Sequence, residues 1–140
     1  MRINVVLNPD KGGILPTKAH RVDAGFDLYA PRDFAVFAHE NAAIDLGVHF
    51  EIPEGYVGFI MSKSGLNINS NLTTEGVIDS GYTGSVVAKV YNNGDKDYYF
   101  KAGDKVTQIV FVPIPEVELN VVDTLEDTER GANGFGSSGR

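Results

Sequence analysis

The chain has 140 residues, a formal net charge of -7 and no cysteine. That length suits one domain with a real core, and the missing thiol excludes disulfides, thiolate metal sites and a cysteine nucleophile. The acidic balance disfavours non-specific binding to nucleic acid or to anionic membrane, since both need a basic field.

Met1-Arg2-Ile3-Asn4-Val5-Val6-Leu7 runs into Asn8-Pro9-Asp10, too short an apolar run for a secretory signal, and no apolar stretch approaches the ~18 residues of a membrane span. A soluble cytoplasmic protein with no membrane or nucleic-acid partner is the expectation. Val5-Val6-Leu7 is the first β-rich run. Ala24-Gly25-Phe26-Asp27-Leu28-Tyr29-Ala30 follows as a small-residue turn entering a short strand, and Phe34 to Phe37, Val48 to Ile52 and Val57 to Met61 read as further strands. Ser64 to Ser70 can hold a short helical turn, but no stretch keeps a 3.6 period over ~11 residues. Gly76 to Gly84 reads as a hairpin, and Val86 to Tyr91 and Val106 to Val112 as the last strands. The turns Pro53-Glu54-Gly55, Asn92-Asn93-Gly94-Asp95 and Ala102-Gly103-Asp104 supply positive φ or a preset proline φ. This pattern predicts an all-β fold, a β-barrel or a double-sheet jelly roll. Apolar anchors thin out from Glu126, so one core domain over residues 1–125 is expected, followed by an arm over 126–140 that cannot fold alone.

Four stretches can carry chemistry. Asp27 sits between apolar neighbours, where it either faces solvent or bonds a nearby turn, or acts through water on a Mg2+ ion, a metal that keeps several waters. Met61-Ser62-Lys63-Ser64-Gly65-Leu66 ends an apolar strand with a hydroxyl, a lysine and free backbone N–H groups, which makes either an ordinary strand-to-loop transition or an anion cradle. Gly76-Val77-Ile78-Asp79-Ser80-Gly81-Tyr82-Thr83-Gly84 offers main-chain groups to a flat ligand, a carboxylate able to take a proton from water, and an aromatic able to pack on a sugar; its plainer reading is a structural hairpin. Gln108, polar in the apolar run after Ala102-Gly103-Asp104-Lys105, either faces solvent or donates to something specific. His20, His39 and His49 form no metal-spaced pair, and no Gly-x-Ser-x-Gly elbow occurs.

In sequence order, Ala24 to Leu28, Ser62 to Leu66, Gly76 to Tyr82, Gly103 to Gln108 and Arg130 to Gly139 resemble the five motifs of the homotrimeric dUTP pyrophosphatases (dUTPases). The resemblance implies a jelly-roll-like (β-clip) subunit in a homotrimer with interfacial active sites and a flexible C-terminal arm. The reaction it implies is Mg2+-assisted hydrolysis of dUTP to dUMP and pyrophosphate by water attack on the α-phosphorus, which limits uracil in DNA and supplies dUMP for dTMP synthesis. Asp79 would activate the water, Tyr82 would pack on deoxyribose and leave no room for a 2'-hydroxyl, and Asp27 would orient Mg2+-bound water. Lys63, Ser64, Gly65 and Gln108 would contact phosphates, with Gln108 supplied by a neighbouring chain. Thr73, Val77 and Ile78 would line the base and sugar site. In the arm, Arg130 would grip the terminal phosphate, Phe135 would stack on uracil, Gly136 would bring backbone close to phosphate, and Ser137 and Ser138 would donate to phosphate oxygens.

The chain departs from the family pattern at Ser62-Lys63, where Pro-Arg is usual, and at Lys105, where Arg is usual; each exchanges a bidentate fork for a point charge. The stretch between Ser64 and Asp79 is read as a short loop, with Thr73 near a position where some members carry a base-contacting Asn. The dCTP deaminases share the fold and the hairpin motif but carry a glutamate where this chain has Lys89, which disfavours deamination. A nucleotide-gated protein-binding module of the same fold is the non-enzymatic alternative.

Overall fold

In the computed structural model, which describes residues 1–136, 138 and 139, the chain is built from ten strands, one short α-helix and a 3-10 turn at Pro9–Lys11. The strands are β1 (Asn4–Leu7), β2 (Phe26–Tyr29), β3 (Phe34–Val36), β4 (Asn41–Asp45), β5 (Val48–Glu51), β6 (Tyr56–Met61), β7 (Leu72–Ile78), β8 (Val87–Asn92), β9 (Tyr98–Phe100) and β10 (Lys105–Pro113), with α1 (Ser64–Ser70) between β6 and β7. Every strand pair is antiparallel. The largest sheet has the order β2-β10-β6-β7-β8-β4, and β1-β5 and β3-β9 form two smaller ladders. The expected all-β architecture is therefore the one observed.

Period-two alternation sets which face is buried. In β8, Ala88, Val90 and Asn92 point inward while Val87 and Lys89 are exposed. Leu28, Ile44, Leu46, Val48, Val90, Phe100 and Ile109 meet in one core, and Phe26, Phe50 and Phe111 pack edge-to-face beside it. Asn92 is buried yet fully used: its Nδ2 donates to Val36 O (3.0 Å) and Lys96 O (2.8 Å), and its Oδ1 accepts from Gly94 N (3.0 Å). It ends β8 and shapes the turn that follows, which the sequence marked.

Helix α1 forms where expected and stops at Asn71, whose left-handed φ of 55° lets its N–H reach back to Leu66 O and Asn67 O. Two strands lie outside the expected set, β4 and β9, and a third corrects it. Residues 72–78, read as loop and the start of a hairpin, form the continuous strand β7, whose first half pairs with β8 and second half with β6. The ladder to β8 stops at Thr74↔Val90, so Gly76 to Gly84 is the end of a strand and an open connection rather than a tight hairpin. After β10, Ile114 N donates to Gly55 O (2.8 Å), and every described residue from Pro113 onward is exposed. No helix among the described residues is long and apolar enough to cross a membrane.

Candidate active site

Strands β2, β10 and β6 lie side by side, and their ends gather the polar residues of three separate stretches. Asp27 on β2 faces Gln108 on β10, and Gln108 in turn faces Met61 on β6. Between Lys105 and Thr107 the β10 ladder slips by one residue against β2, leaving Val106 and Thr107 both buried. A bulge of this kind re-aims the flanking side chains. Lys105, upstream of it, reaches Asp27 Oδ2 at 2.7 Å, while Lys63 pairs with Asp27 Oδ1.

Asp27 is only 6% exposed. Burial pushes its carboxyl up, but hydrogen bonds from Lys105 and Lys63, with their charges, outweigh that and hold it below its ordinary value. The same contact raises the Lys105 ammonium. One buried carboxylate thus holds two ammoniums, and with the more exposed Asp23 they line a cleft of about 340 Å³ shared with Ser64, Gly65 and Gln108. Gly25 leaves room beside it for Gln108, since a Cβ there would lie 2.6 Å from Gln108 Oε1 and make that side chain shift. An anion fits this cleft by taking the two lysines over from Asp27.

The cleft is held in shape from behind. Gln108 Nε2 donates to Ser62 O (3.1 Å), and Ser62 Oγ donates to Thr74 O (3.0 Å) while accepting from Thr74 N (2.9 Å). Thr107 Oγ1 donates to Met61 O (2.8 Å) and lies 2.6 Å from Thr74 Oγ1. These hydroxyls fix Ser62-Lys63 relative to Gln108.

Of the residues singled out in the sequence, the structure brings Asp27, Lys63, Ser64, Gly65 and Gln108 together within one chain. Gln108 needs no neighbouring chain to join Lys63, contrary to expectation, because it pairs with Met61 at the end of β6 that leads into Lys63. Nor is it a solvent-facing residue: it is half-buried and engaged. Asp27 likewise is neither solvent-facing nor bonded to a turn. Lys105 was noted only as a departure from the family pattern, and the hydroxyls of Thr74 and Thr107 were not singled out; the polar Thr107 inside the apolar Val106 to Val112 run was the available signal.

Asp79 and Tyr82 lie elsewhere. Ile78 pairs with Gly58, the third residue of β6, whereas Lys63 lies two residues past the far end of that strand. The five residue steps from Gly58 to Lys63, which is past the strand but still extended, span about 16 Å. Asp79 is exposed and closes a turn through Tyr82 N→Asp79 O (3.2 Å), and Tyr82 is 47% exposed. Val77 is exposed, Ile78 packs against the core, and Thr73 Oγ1 accepts from Asn93 Nδ2 (3.2 Å). In the arm, Arg130 Nε donates to Asn133 O (3.0 Å), and Ser138 lies near Arg130. Phe135 is fully exposed, and it and Gly136 have positive φ, 48° and 98°. Ser137 lies outside the described residues. Lys89 is exposed with its Nζ 5.3 Å from the Tyr91 ring centroid.

A metal held by the protein alone does not fit this cleft. Among the described residues no three His, Asp or Glu side chains group to hold an ion, and both Asp27 oxygens carry lysines.

The sequence model of the dUTPase family matches residues 11–139. The deoxyuridine 5'-triphosphate nucleotidohydrolase of Candida glabrata is 40% identical over 130 residues, 91% of this chain and 90% of that protein. That of Anaplasma marginale is 40% identical over 130 residues, 89% of this chain and 88% of the other. Among solved structures, the Staphylococcus bacteriophage 80alpha dUTPase with dUPNHPP aligns over 99% of each chain with a TM-score of 0.91 and 30% identity. The D95N dUTPase of phage phi11 of S. aureus, described with a structural Mg(II) ion, gives a TM-score of 0.82 at 28% identity over 91% of this chain and 100% of the other. Matched along nearly its whole length in sequence and in fold, the chain belongs to the dUTPase family.

Proposed function

We propose that this chain hydrolyses dUTP to dUMP and pyrophosphate in the cytoplasm, as one subunit of a homotrimer whose sites form between chains. The observation that carries the reading is the division of labour along β6: a lysine-bearing cleft built on Asp27 beyond one end, and the Asp79-Tyr82 turn toward the other, about 16 Å back along the chain. Neither end suffices alone, and a neighbouring copy brings the turn of one chain to the cleft of another.

In the cleft, the phosphates compete with Asp27 for Lys63 and Lys105, so the lysines pass from a carboxylate to a phosphate without crossing bulk water. Ser64, Gly65 and Gln108 add hydrogen bonds. Asp79 accepts a proton from the attacking water; a P–O bond forms at the α-phosphorus as the bond to the β-phosphate oxygen breaks, and the electron pair leaves with pyrophosphate. Mg2+, when carried by the nucleotide, supplies charge neutralisation and polarisation at the phosphates, and Asp27 is the residue to meet its water shell. Tyr82 packs on the sugar, main-chain groups of Val77 and Ile78 with Thr73 face the base, and the arm closes over the nucleotide through Arg130, Phe135, Gly136, Ser137 and Ser138. The arm's glycines let backbone approach phosphate.

The segment before the arm supports assembly. Val117, Leu119 and Val121 alternate with Glu116, Glu118 and Asn120, and the three apolar residues are 68%, 89% and 96% exposed. That is the pattern of a half-buried strand, and within one chain nothing described covers it.

The test is pyrophosphate release from dUTP, dCTP, dTTP and UTP with Mg2+, with mass by light scattering under the same conditions. Preferential turnover of dUTP by a trimer is the expected result. Comparable turnover of all four, or none of dUTP, overturns the activity, and an active monomer overturns the assembly.

A further inference from the structure

The connection from Asp79 to Val86 is braced by a side-chain relay that the reaction does not use. Tyr82 lies over Gly84, where a Cβ would sit 2.5 Å from the ring Cζ, so only glycine admits the ring in this position. The Tyr82 hydroxyl donates to Ser85 O at 3.0 Å. Ser85 is itself held, because its Oγ donates to Asp45 Oδ1, an oxygen that also accepts from Gly47 N (3.0 Å). Lys11 Nζ occupies the other oxygen at 2.5 Å. On the far side of the loop His49 Nδ1 bonds Thr83 O (2.8 Å). Lys11, Asp45 and Ser85 therefore form a line of contacts ending on one aromatic ring.

We propose that Asp45 and Ser85 are positioning residues that set the discrimination between deoxyribose and ribose, by fixing where the Tyr82 ring stands. The inference rests on the reading of Tyr82 as the residue that packs on the sugar. A ring that must refuse a single oxygen atom has to be held within about 0.5 Å, and a loop tip alone does not provide that. Ser85 does, since its carbonyl holds the ring's hydroxyl while its own hydroxyl is anchored to the end of β4. The two ends of the loop are secured differently. Asp79 follows directly from the β6-β7 ladder through Ile78↔Gly58, so loosening Ser85 frees Tyr82 and leaves Asp79 in place. A defect in the relay is then a defect of selectivity before it is one of rate.

The experiment compares the parent with Ser85→Ala, Ser85→Thr and Asp45→Ala, measuring kcat and KM for dUTP and for UTP, with a melting curve for each. Loss of one anchoring hydrogen bond should lower the dUTP-to-UTP ratio of kcat/KM about five- to tenfold in Ser85→Ala and in Asp45→Ala, mainly through better use of UTP. Ser85→Thr keeps the hydroxyl and should keep the parent's ratio. A folded Ser85→Ala with unchanged ratio overturns the proposal, as does an equal loss toward both nucleotides, which marks a merely structural role. Should Asp45→Ala not fold, the Ser85 pair decides alone. A parent that turns over neither nucleotide overturns the proposed function and the relay with it, whereas a selective parent with an equally selective Ser85→Ala overturns the relay only.

Discussion

The hydroxyls of Thr74 and Thr107 are buried, 5% and 0% exposed, and their bonds run in one direction. Thr107 Oγ1 gives its proton to Met61 O at 2.8 Å, so the 2.6 Å contact between the two hydroxyls is donated by Thr74. The pair is therefore unequal. Thr107→Val removes the bond to Met61 and strands the Thr74 hydroxyl in the core, at a cost of about 2–3 kcal/mol. Thr74→Val leaves Thr107 still bonded to Met61 and should cost about 0.5–1.5 kcal/mol. Once Thr107 is valine, the second change removes a stranded hydroxyl, so Thr74→Val should then stabilise by about 1 kcal/mol. A reversal of sign is the distinguishing result. Thermal unfolding of the four proteins at one fixed concentration, at roughly 3–5 °C per kcal/mol for a chain of this size, resolves it. Additive losses would refute the bonding direction assigned here. Because Met61 precedes Ser62-Lys63 and Thr107 precedes Gln108, Thr107→Val should also raise KM by loosening the cleft.

Strands with a dense β-branched or aromatic pattern, such as β6 and β10, were legible because side-chain type and alternation agree with the ladder they form. Strand β4 was not. Asn41-Ala42-Ala43-Ile44-Asp45 holds one strong β-former, and its conformation comes from pairing along β8 and from burial of Ile44. Strand β9 was hidden for a different reason: only Tyr98, Tyr99 and Phe100 signal it, directly after Asp95-Lys96-Asp97. The cleft shows the same limit. Asp27, Lys63 and Lys105 are far apart in sequence, so local reading left Asp27 undecided between solvent, turn and metal, and only the β2-β10-β6 order reveals two ammoniums on one buried carboxylate. Gln108 stayed open between solvent and a specific partner because an apolar run does not say which of its faces is covered; β10 is an interior strand of the sheet, flanked by β2 and β6, and the polar side chain had to find a partner. The order of five individually ambiguous motifs was legible, since order survives in sequence while contact does not.

Asp79→Asn should keep nucleotide affinity while turnover falls at least about 100-fold, because the amide preserves shape but accepts no proton; near-normal turnover, measured beside equilibrium binding, removes Asp79 from the role. Deleting 130–140 should leave the melting temperature nearly unchanged, every described residue there being exposed, but abolish most dUTP hydrolysis, and full activity in the truncation would contradict a closing arm. The last expectation concerns acid. Hydrogen bonds from Lys11 and Ser85 to Asp45 lower its carboxyl from 3.8 to about 2. A group depressed on folding contributes stability that is fully present above its unfolded value and is lost as pH falls through the folded one, so the window runs from 3.8 down to about 2. Counted in full, that displacement is worth about 2.5 kcal/mol at neutral pH. With the Lys11 and Asp45 side chains 44% and 36% exposed, solvent screening reduces it to about 1 kcal/mol. Denaturant unfolding of the parent and Asp45→Asn should therefore differ by about 1 kcal/mol at pH 7 and converge near pH 2. A difference that stays constant across that window would mean that Asp45 stabilises the loop by shape and hydrogen bonding alone, with its charge contributing nothing.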